Sequence, residues 1–588
     1  MAIPIKERTM TKYTDTVMNG AEAVVEMLVA YGVEVIFGVP GDTSLPLYDA
    51  LYKASPKIRH ILARDERSAV FMADTYARLT HKPAVCECPS GAGALYSIPG
   101  IAEANASSIP IILLTSGVSL AGEGKGTITE LDHHKLFEPV TKWSTFLKNA
   151  DKVPETLRKA FRVATTQRPG TVHLAFPTEV MSGHLSQDPE RIYAEPECSV
   201  YPAFRTRGNI EVMKELADTL VKAKKPVMIV GGGATHSQAG ELIINIAEKL
   251  SIPVVTTISG QGIMPDEHPL ALGVIGDNGF HPHAHRTIDE GDTLFYIGCK
   301  MGSVSTIKWT RPAWNTKAKI IQIDIDPTML ANNYKNHLSV AGDARLILND
   351  LQTLLSDWDS DIAIPEARTA WLEDLNRERR NFWETSMAVL TSDALPIKPQ
   401  RVIHAVNQHL TEHSVVIADA GTPTPHINRF LRLKGKGSRF IIPRAFGGLG
   451  YAIPAVVGAH LANPKARLVA MFGDGSLGMS AGELETLSRL NIPVVLIHFN
   501  NGTFGWIKAL QAIHSEGRYM SVDFTQRDMA AVAKAFGLKA FHVTQPDELD
   551  AALDEAFDHD GPVFIDVVAA SEVAELPSVY SWHQALKK

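Results

Sequence analysis

Two short polar clusters, Gly473-Asp474-Gly475 and Asn500-Asn501, decide how the C-terminal part of this chain folds. A gap of 24 residues separates them. Apolar residues at 466–472, in a pattern typical of a buried strand, run straight into the first cluster. A second such run, at 494–499, leads straight into the asparagine pair. We therefore predict two strands, each ending in polar residues.

The segment between the two clusters has the pattern of a helix start. Ser480 is followed three residues later by Glu483, which predicts a capping box. The whole stretch is then one βαβ unit, and both clusters lie at the carboxyl ends of neighbouring parallel strands, where open α/β sheets bind ligands. The Asp474 carboxylate and the Asn501 amide oxygen would form a hard oxygen site there, which suits Mg²⁺ held partly by a diphosphate. The alternative is an Asp-Gly turn and an unrelated asparagine pair.

Length and composition indicate a large globular protein in water. The 588 residues are enough for three domains of ordinary size, and 45% of them are apolar while 21% are charged. The net charge of −8 comes from interspersed signs, so no basic block indicates a nucleic acid partner or a membrane surface. No run of 18 apolar residues predicts a membrane span.

The cysteines and the N-terminal residues bear on the compartment. Cys86, Cys88, Cys198 and Cys299 are too few for a disulfide framework, and the first pair lacks a second pair of metal ligands. We expect reduced core residues, which fits a cytoplasmic location. Residues 1–13 have no apolar region typical of a secretory signal and are expected to form a loose N-terminal arm.

Strand and helix patterns alternate along most of the chain and divide it into three blocks. Such alternation predicts an α/β fold with three doubly wound parallel-sheet domains. A polar stretch near 186–208 and a charged linker, roughly 357–397, separate the blocks. The predicted units are 14–185, 205–360, 390–575 and a C-terminal tail at 576–588.

The middle block contains two patterns with open alternatives. Gly231-Gly232-Gly233 follows a strand, but it does not match G-x-G-x-x-G with an acidic residue about 20 positions further on. A tight strand-to-helix turn is therefore favoured over a dinucleotide loop. Asp324 and Asp326 end another strand, where they would contact a ribose or cap the segment after Pro327.

The spacing of the two polar clusters resembles the motif of thiamine diphosphate (ThDP) enzymes, GDG followed some two dozen residues later by NN. The resemblance implies that Asp474, Asn501 and the backbone carbonyl of Thr503 hold Mg²⁺. Gly475 and Ser476 would approach the phosphates, because glycine removes the side chain and a helix N-terminus follows.

Gly421-Thr422-Pro423-Thr424 resembles the segment that holds the terminal phosphate in ThDP-dependent decarboxylases, and the alternative is a Pro-containing loop. Two glycine-rich segments, 38–46 and 89–94, resemble the loops that form the cleft and bracket the pyrimidine ring. The residues expected to contact the cofactor are Gly41, Pro89, Gly91, Gly93, Gly421, Thr422, Thr424, Gly447, Gly448, Leu449, Gly473, Asp474, Gly475, Ser476, Asn501, Thr503 and Phe504.

The segment Arg64-Asp65-Glu66-Arg67-Ser68-Ala69 resembles the H-E-x-x-A segment that carries the activating glutamate of this superfamily. The resemblance implies that the Glu66 carboxyl group bonds the pyrimidine N1′ and so promotes loss of the C2 proton. A carboxyl group buried against an aromatic ring should have a raised pKa. The alternative is a charge that is favourable at a helix N-terminus.

Leu449 lies in Gly447-Gly448-Leu449-Gly450, which resembles the benzoylformate decarboxylase version of the apolar wedge that bends the cofactor. The alternative is a core leucine in a glycine-rich turn.

Taken in order, these segments cover nearly the whole chain, which is identified as a member of the ThDP-dependent acetohydroxyacid synthase/benzoylformate decarboxylase superfamily. Family membership implies a homodimer, paired into a homotetramer, with Glu66 and Asp474 of different subunits at one cofactor. It also allows FAD or another nucleotide in the middle domain, for which no sequence support is found.

Several positions depart from the relatives. Thr129 replaces a glutamine, and Lys508 and Leu510 stand where synthases have arginine and tryptophan. Pro89 and Asp42 replace the histidine and serine of the decarboxylases. Both substrate preferences are therefore open.

New histidines lie near the expected cleft. His133 and His134 are expected catalytic residues, as substrate donors or proton shuttles, and His281, His283 and His285 are further candidates. The alternative for each is a surface or core histidine.

The leading function is decarboxylation of a 2-oxo acid and transfer of the carbanion–enamine to an aldehyde or ketone. The alternatives are a non-ligating decarboxylase, a 2-hydroxyacyl lyase, or, from another class, a nucleotide-binding oxidoreductase or a silent relative.

Overall fold

The computed structural model describes residues 18–186, 189–357, 363–435 and 437–587. The predicted arm at 1–13 lies outside these residues. Three six-stranded sheets follow one another along the chain, and all their strand pairings are parallel. The predicted fold class, three doubly wound α/β domains, is confirmed.

The N-terminal domain contains a sheet of order β2-β1-β3-β4-β6-β5. Its strands are β1 Val35–Gly38, β2 Arg59–Leu62, β3 Ala84–Cys88, β4 Ile111–Gly117, β5 Trp143–Phe146 and β6 Val172–Pro177. Its helices are α1 Gly20–Ala30, α2 Leu45–Ala54, α3 Glu66–Thr80, α4 Ala92–Ala106, α5 His133–Phe137, α6 Val153–Thr165 and α7 Thr178–Ser182.

The middle domain contains a sheet of order β12-β11-β10-β7-β8-β9. Its strands are β7 Pro226–Val230, β8 Val254–Thr256, β9 Ala271–Val274, β10 Thr293–Ile297, β11 Lys319–Asp324 and β12 Leu338–Ala341. Its helices are α8 Ile210–Lys222, α9 Gly232–His236, α10 Gly240–Leu250, α11 Pro282–Glu290 and α12 Ala344–Asp357, and α13 Glu366–Leu390 follows them.

The C-terminal domain contains a sheet of order β14-β13-β15-β16-β18-β17. Its strands are β13 Ser414–Ala418, β14 Arg439–Ile441, β15 Arg467–Gly473, β16 Val494–Asn500, β17 Lys539–Val543 and β18 Pro562–Val568. Its helices are α14 Pro399–His409, α15 Pro423–Phe430, α16 Ala452–Ala462, α17 Asp474–Ser480, α18 Glu483–Leu490, α19 Gly505–His514, α20 Ala530–Ala535, α21 Pro546–Phe557 and α22 Tyr580–Ala585.

The first and third sheets repeat the same strand order, counted from the first strand of each domain. The middle sheet has a different order. From its centre, β7 to β9 follow one another toward one edge and β10 to β12 toward the other, so the strand order reverses between β7 and β10, as in doubly wound nucleotide-binding folds. Apolar strand residues packed under the flanking helices form the cores of all three domains. Cys86, Cys88, Cys198 and Cys299 are buried and form no disulfide, as predicted.

The N- and C-terminal domains pack against each other through α3 and α16. The Tyr451 hydroxyl donates to the Asp74 carboxylate at 2.5 Å and shares a 2.8 Å hydrogen bond with the Thr75 hydroxyl. The backbones approach so closely that a Cβ on Gly458 would lie 1.9 Å from the carbonyl oxygen of Met72. None of the helices in the described residues combines the length and apolar character needed to cross a membrane.

The predicted capping box at Ser480 and Glu483 is wrong. Ser480 ends α17, and its hydroxyl donates back to the Ser476 carbonyl at 3.1 Å. Glu483 begins the next helix, where its carboxylate accepts the backbone N–H of Arg64 from the N-terminal domain at 2.9 Å. The stretch between the two strands therefore forms two helices, α17 and α18, and neither begins at Ser480.

The charged segment predicted as a linker contains α13, a helix of 25 residues. Trp371, Leu375 and Phe382 form an apolar stripe that is buried against the neighbouring domains. Arg368 is fully buried and donates to backbone carbonyls at the ends of two helices, at 2.5 Å to Leu250 and 3.0 Å to Leu220. The segment is a packed structural element because its few apolar residues share one face.

Candidate active site

The two polar clusters of the sequence meet at the carboxyl edge of the third sheet. β15 ends at Gly473 beside Phe499 of β16, so the residues that follow lie next to each other. The Asp474 carboxylate oxygen Oδ2 accepts the backbone N–H groups of Asn501 at 3.0 Å and Gly502 at 3.1 Å. The predicted contact between the Asp474 and Asn501 segments is therefore present.

The asparagine pair divides between two roles. Asn500 is fully buried, and its amide nitrogen donates to the Arg527 carbonyl at 2.7 Å and to Asp566 at 3.0 Å. Asn501 points to the other side of the strand end, where it lines a cavity. Thr503 is held next to it by a 2.7 Å bond from its hydroxyl to the Val522 carbonyl.

This cavity has a volume of about 440 Å³, a size typical of small-molecule sites. It collects most of the predicted cofactor contacts of the C-terminal domain in one place. The predicted residues that line it are Gly421, Thr422, Thr424, Gly447, Leu449, Gly473, Asp474, Gly475, Ser476, Asn501, Thr503 and Phe504. Gly448 lies between two of them in the same loop.

Leu449 is held in position by two buried carboxylates. Glu103 accepts three backbone N–H groups of the loop at 444–446, at 2.7 to 2.9 Å. Asp419 accepts the N–H of Gly450 at 3.2 Å. A Cβ on Gly475 would lie 3.2 Å from the Leu449 Cδ1 atom and 2.7 Å from the Phe504 ring, so the wall is tight here.

The residues around the cavity fit an Mg²⁺–diphosphate group. Asp474 supplies a carboxylate, Asn501 an amide and Thr503 a backbone carbonyl, which are oxygen ligands that Mg²⁺ accepts. Gly473 and Gly475 leave backbone exposed to the cavity, as close approach of a phosphate requires. The hydroxyls of Thr422 and Thr424 donate within the protein, to Glu572 and to the Asp419 carbonyl.

Glu572 was missed by the sequence reasoning. It follows β18 at the same edge of the sheet and lines the cavity, although only 5% of it is exposed. Its Oε1 atom accepts the Asn501 Nδ2–H at 2.8 Å and the hydroxyl proton of Thr422. The strand-end rule that found Asp474 and Asn501, applied to β18, would have found it.

A buried histidine lies behind the predicted metal ligand. The His498 Nε2 atom lies 3.6 Å from Asp474 Oδ1, and its Nδ1 atom bonds Asp566 at 2.8 Å. Asp566 also bonds His542 at 2.7 Å. Burial raises the pKa of Asp566, but these hydrogen bonds outweigh it and hold the pKa below its ordinary value. The network supports the strand end that carries Asp474.

Glu66 is the first residue of α3, and the preceding Asp65 caps the helix by accepting the Arg67 N–H at 2.8 Å. The Glu66 side chain is buried, and loss of solvent raises its pKa above the ordinary value. A Cβ on Gly93 would lie 2.9 Å from Glu66 Oε1 and 2.7 Å from Pro89, so the three residues pack together.

The remaining predicted residues of the N-terminal domain join this second cluster. Gly41 packs directly against Pro89, and Gly91 adopts a φ of +66°, which favours glycine. No described residue of 18–186 lines the Asp474 cavity, so the Glu66 cluster lies outside the cavity of its own chain.

His133 is buried and His134 is exposed, and both join one polar network of the N-terminal domain. The Thr115 hydroxyl bonds His133 at 2.7 Å and His173 at 2.8 Å, and Ser144 bonds His134 at 3.1 Å. Burial lowers the pKa of His133 to about 4. These partners are typical of structural histidines, and the catalytic role of the pair stays a prediction.

The middle-domain histidines are likewise buried. The His281 Nε2 atom bonds the Arg429 carbonyl at 2.7 Å, and its ring lies 5.1 Å from that of His283. His285 bonds the Gly276 backbone and stacks on Phe280 at 4.8 Å. Burial lowers the pKa of His281 to about 3, so these residues are neutral core side chains.

A second cavity, of about 360 Å³, lies between the middle domain and parts of the other two domains, at the point where the strand order of the middle sheet reverses. Residues 231–233 line it after β7, together with Lys300, Arg168 and Asp324. The predicted tight turn is present, since α9 begins at Gly232. For Asp326 the alternatives were a contact with a ribose and a cap on the segment after Pro327. The cap is present, since Asp326 accepts the Thr328 N–H at 2.9 Å.

Comparisons with known proteins agree with this architecture. The models described as thiamine pyrophosphate enzyme, N-terminal TPP binding domain, central domain and C-terminal TPP binding domain match residues 18–136, 213–351 and 419–567. The chain is 35% identical over 561 residues to the probable acetolactate synthase large subunit of Methanocaldococcus jannaschii, covering 94% of this chain and 92% of that protein. It is 32% identical over 558 residues to the acetolactate synthase isozyme 3 large subunit of Escherichia coli, covering 94% of each. This chain therefore belongs to the thiamine pyrophosphate enzyme family and, within it, to the proteins of acetolactate synthase type.

Proposed function

We propose that this protein uses ThDP and Mg²⁺ to decarboxylate a 2-oxo acid and to join the remaining carbon unit to an aldehyde or ketone acceptor. One observation carries the proposal. Asp474, Asn501 and Leu449 line a single cavity at the strand ends of a domain that matches the C-terminal ThDP-binding model. The relatives named acetolactate synthase support the carboligating form of the reaction.

The metal and the diphosphate would be held by the C-terminal domain. Asp474, Asn501 and the Thr503 carbonyl would bind Mg²⁺, while the backbone at Gly475 and Ser476 would face the phosphate oxygens. ThDP, when bound, supplies the electron sink for decarboxylation, and the protein supplies geometry and electrostatics.

Glu66 would hold a proton at the N1′ atom of the pyrimidine ring. Its burial favours the protonated form, which is the form that can donate to this nitrogen. Leu449 would keep the two rings of the cofactor in a bent arrangement, because Gly475 and Phe504 close the space behind it. Trp506 and Ile507 also line the cavity, where they would shield the reacting carbon from water.

We propose a homodimer, paired into a homotetramer, as the active assembly. No residue of the Glu66 cluster lines the Asp474 cavity of the same chain, which supports a site completed by a second copy. Large apolar side chains surround both half-sites: Leu95 and Tyr96 in α4 are 47% and 58% exposed, and Phe446 in the Leu449 loop is 70% exposed. Such exposed apolar area is typical of an interface.

Product analysis with pyruvate tests the reaction class. With an acceptor aldehyde or ketone present, we expect a hydroxy-ketone or acetohydroxy acid as the main product, and the Asp474→Ala variant is the matched inactive control. Free aldehyde as the main product, with and without an acceptor, would indicate the alternative non-ligating decarboxylase. Cleavage of a 2-hydroxyacyl compound without 2-oxo acid turnover would indicate the lyase.

We also propose that the middle-domain cavity binds a nucleotide, FAD or a smaller adenine nucleotide. The position of the cavity at the strand reversal, its glycine turn and the cations Lys300 and Arg168 favour an anionic ligand. Small molecules released by heat from the purified protein should include an adenine nucleotide, separated from ThDP by chromatography and identified by mass, with visible flavin absorbance if the ligand is FAD. Release of no nucleotide would contradict this proposal.

A cytoplasmic location is proposed from the cysteines. Four buried cysteines without a disulfide are typical of a reducing compartment. Fractionation of the source cells should therefore recover the protein with cytoplasmic markers.

A further inference from the structure

Glu572 occupies an unusual position for a carboxylate. It is carried by the segment that follows β18 and lines the cavity beside the predicted metal ligand Asn501. Its Oε2 atom is buried and has no hydrogen-bond partner among the described residues. Gly505 makes room for the group, because a Cβ there would lie 1.9 Å from Glu572 Oε1. Burying a charged group without full pairing is costly, which indicates a function at this site.

The other carboxylate oxygen organises two residues of the cavity. Oε1 accepts both the Asn501 Nδ2–H, at 2.8 Å, and the hydroxyl proton of Thr422. The two donors come from different strand ends, β16 and β13, so Glu572 links them across the mouth of the cavity.

The bond to Asn501 has a consequence for metal binding. An asparagine side chain ends in an NH₂ group, which cannot bind a cation, and an oxygen, which can. While Nδ2 donates to Glu572, the oxygen is the end left for a metal. A flipped amide would place its oxygen against the carboxylate, which is electrostatically unfavourable. The Asn501 backbone is already fixed by its 3.0 Å bond to Asp474, so the amide flip is the remaining freedom.

We propose that Glu572 is a positioning residue that selects the metal-binding orientation of the Asn501 amide. This inference rests on the proposed Mg²⁺–ThDP function of the same cavity. Outer groups that orient a metal ligand typically change metal affinity by about 10–100-fold when they are removed. A direct bond from Glu572 to the metal is a different hypothesis, in which the charge and not the acceptor oxygen matters.

Two variants separate these hypotheses. Glu572→Ala removes the acceptor for Asn501, and we expect Mg²⁺ affinity at saturating ThDP to fall about 10–100-fold. Glu572→Gln removes the charge and can turn either its oxygen or its NH₂ group toward Asn501, so it no longer excludes the flipped amide. Its affinity should fall less than that of the alanine variant, because one of its two orientations still accepts the Asn501 N–H. Affinity is measured by calorimetry and by electron paramagnetic resonance with Mn²⁺ as the probe, independently of turnover.

Glu575 provides the matched control. It lies in the same segment but bonds Lys398 and Gln400 away from the cavity, so Glu575→Gln should bind the metal like wild type. Circular dichroism of the metal-free variants confirms that each is folded.

Three results would overturn the inference. Unchanged affinity in Glu572→Ala excludes any role in metal binding, and equal losses in the alanine and glutamine variants assign the effect to the charge. Failure of the wild-type protein to bind Mg²⁺ with ThDP overturns the proposed function itself, and the inference with it.

Discussion

Replacing Glu66 with glutamine should leave ThDP binding intact but slow the loss of the cofactor's C2 proton by about 10²–10⁴-fold. At about 1.4 kcal/mol for each factor of ten, this corresponds to roughly 3–5 kcal/mol of activation free energy. Glutamine has nearly the same size, and the side chain is enclosed by Gly93 and Pro89, so packing is preserved. The substitution changes the acidity of the side chain. Burial raises the pKa of the Glu66 carboxyl group, which on the proposed function would donate a proton to N1′, and an amide is a much weaker acid.

The measurement is hydrogen–deuterium exchange at C2 of bound ThDP, followed by quenched-flow NMR. Asp65→Asn is the matched control, because it removes a charge from the adjacent residue while asparagine keeps the cap on α3. That variant should exchange at nearly the wild-type rate. Wild-type exchange in Glu66→Gln would refute the activating role, and an equal loss in both variants would assign the effect to charge at the helix N-terminus.

Three further predictions concern the metal, the assembly and the domain contact. Asp474→Ala should abolish Mg²⁺-dependent ThDP binding in calorimetry, and unchanged affinity would contradict the metal site. Mixing inactive Glu66→Gln and Asp474→Ala chains should restore roughly a quarter of the active sites, since half of random dimers are hybrids with one intact site each; if each chain forms its own site, activity stays absent. Gly458→Ala should lower the free energy of unfolding by about 1–3 kcal/mol in denaturant titrations because its Cβ meets the Met72 carbonyl. Gly302→Ala, with open space around the Cβ, should not, and equal stability of the two variants would contradict the reasoning.

The sequence predicts best those site residues that directly follow a strand, namely Asp474 and Asn501. Apolar runs ending at Gly473 and Asn500 imply parallel strands, and neighbouring strands in such a sheet end at the same edge. The contact between Asp474 and Asn501 follows from these two facts alone. Glu66, by contrast, was found only through a resemblance, because a glutamate at a helix start is common without any catalytic role.

Side chains whose partners come from distant segments escape such reasoning. Glu483 has the spacing of a capping box with Ser480, but its carboxylate bonds the backbone of Arg64, 419 positions away. The segment of α13 has many charges, yet Trp371 and Leu375 on one face are enough to bury it. Local patterns give the probability of an element, and long-range partners decide where it begins, breaks and packs.

The first and third sheets share the same strand order, and each carries one cluster of candidate site residues at the carboxyl ends of its strands. Glu66 lies with Pro89 in the first domain, and Asp474 lies with Asn501 in the third. Within one chain, the faces of α3 and α16 pack the two domains together through Tyr451. On the proposed assembly, a second copy aligns the first sheet's cluster of one subunit with the third sheet's cluster of the other. On this proposal one cofactor needs two chains, because no residue of the Glu66 cluster lines the Asp474 cavity of its own chain.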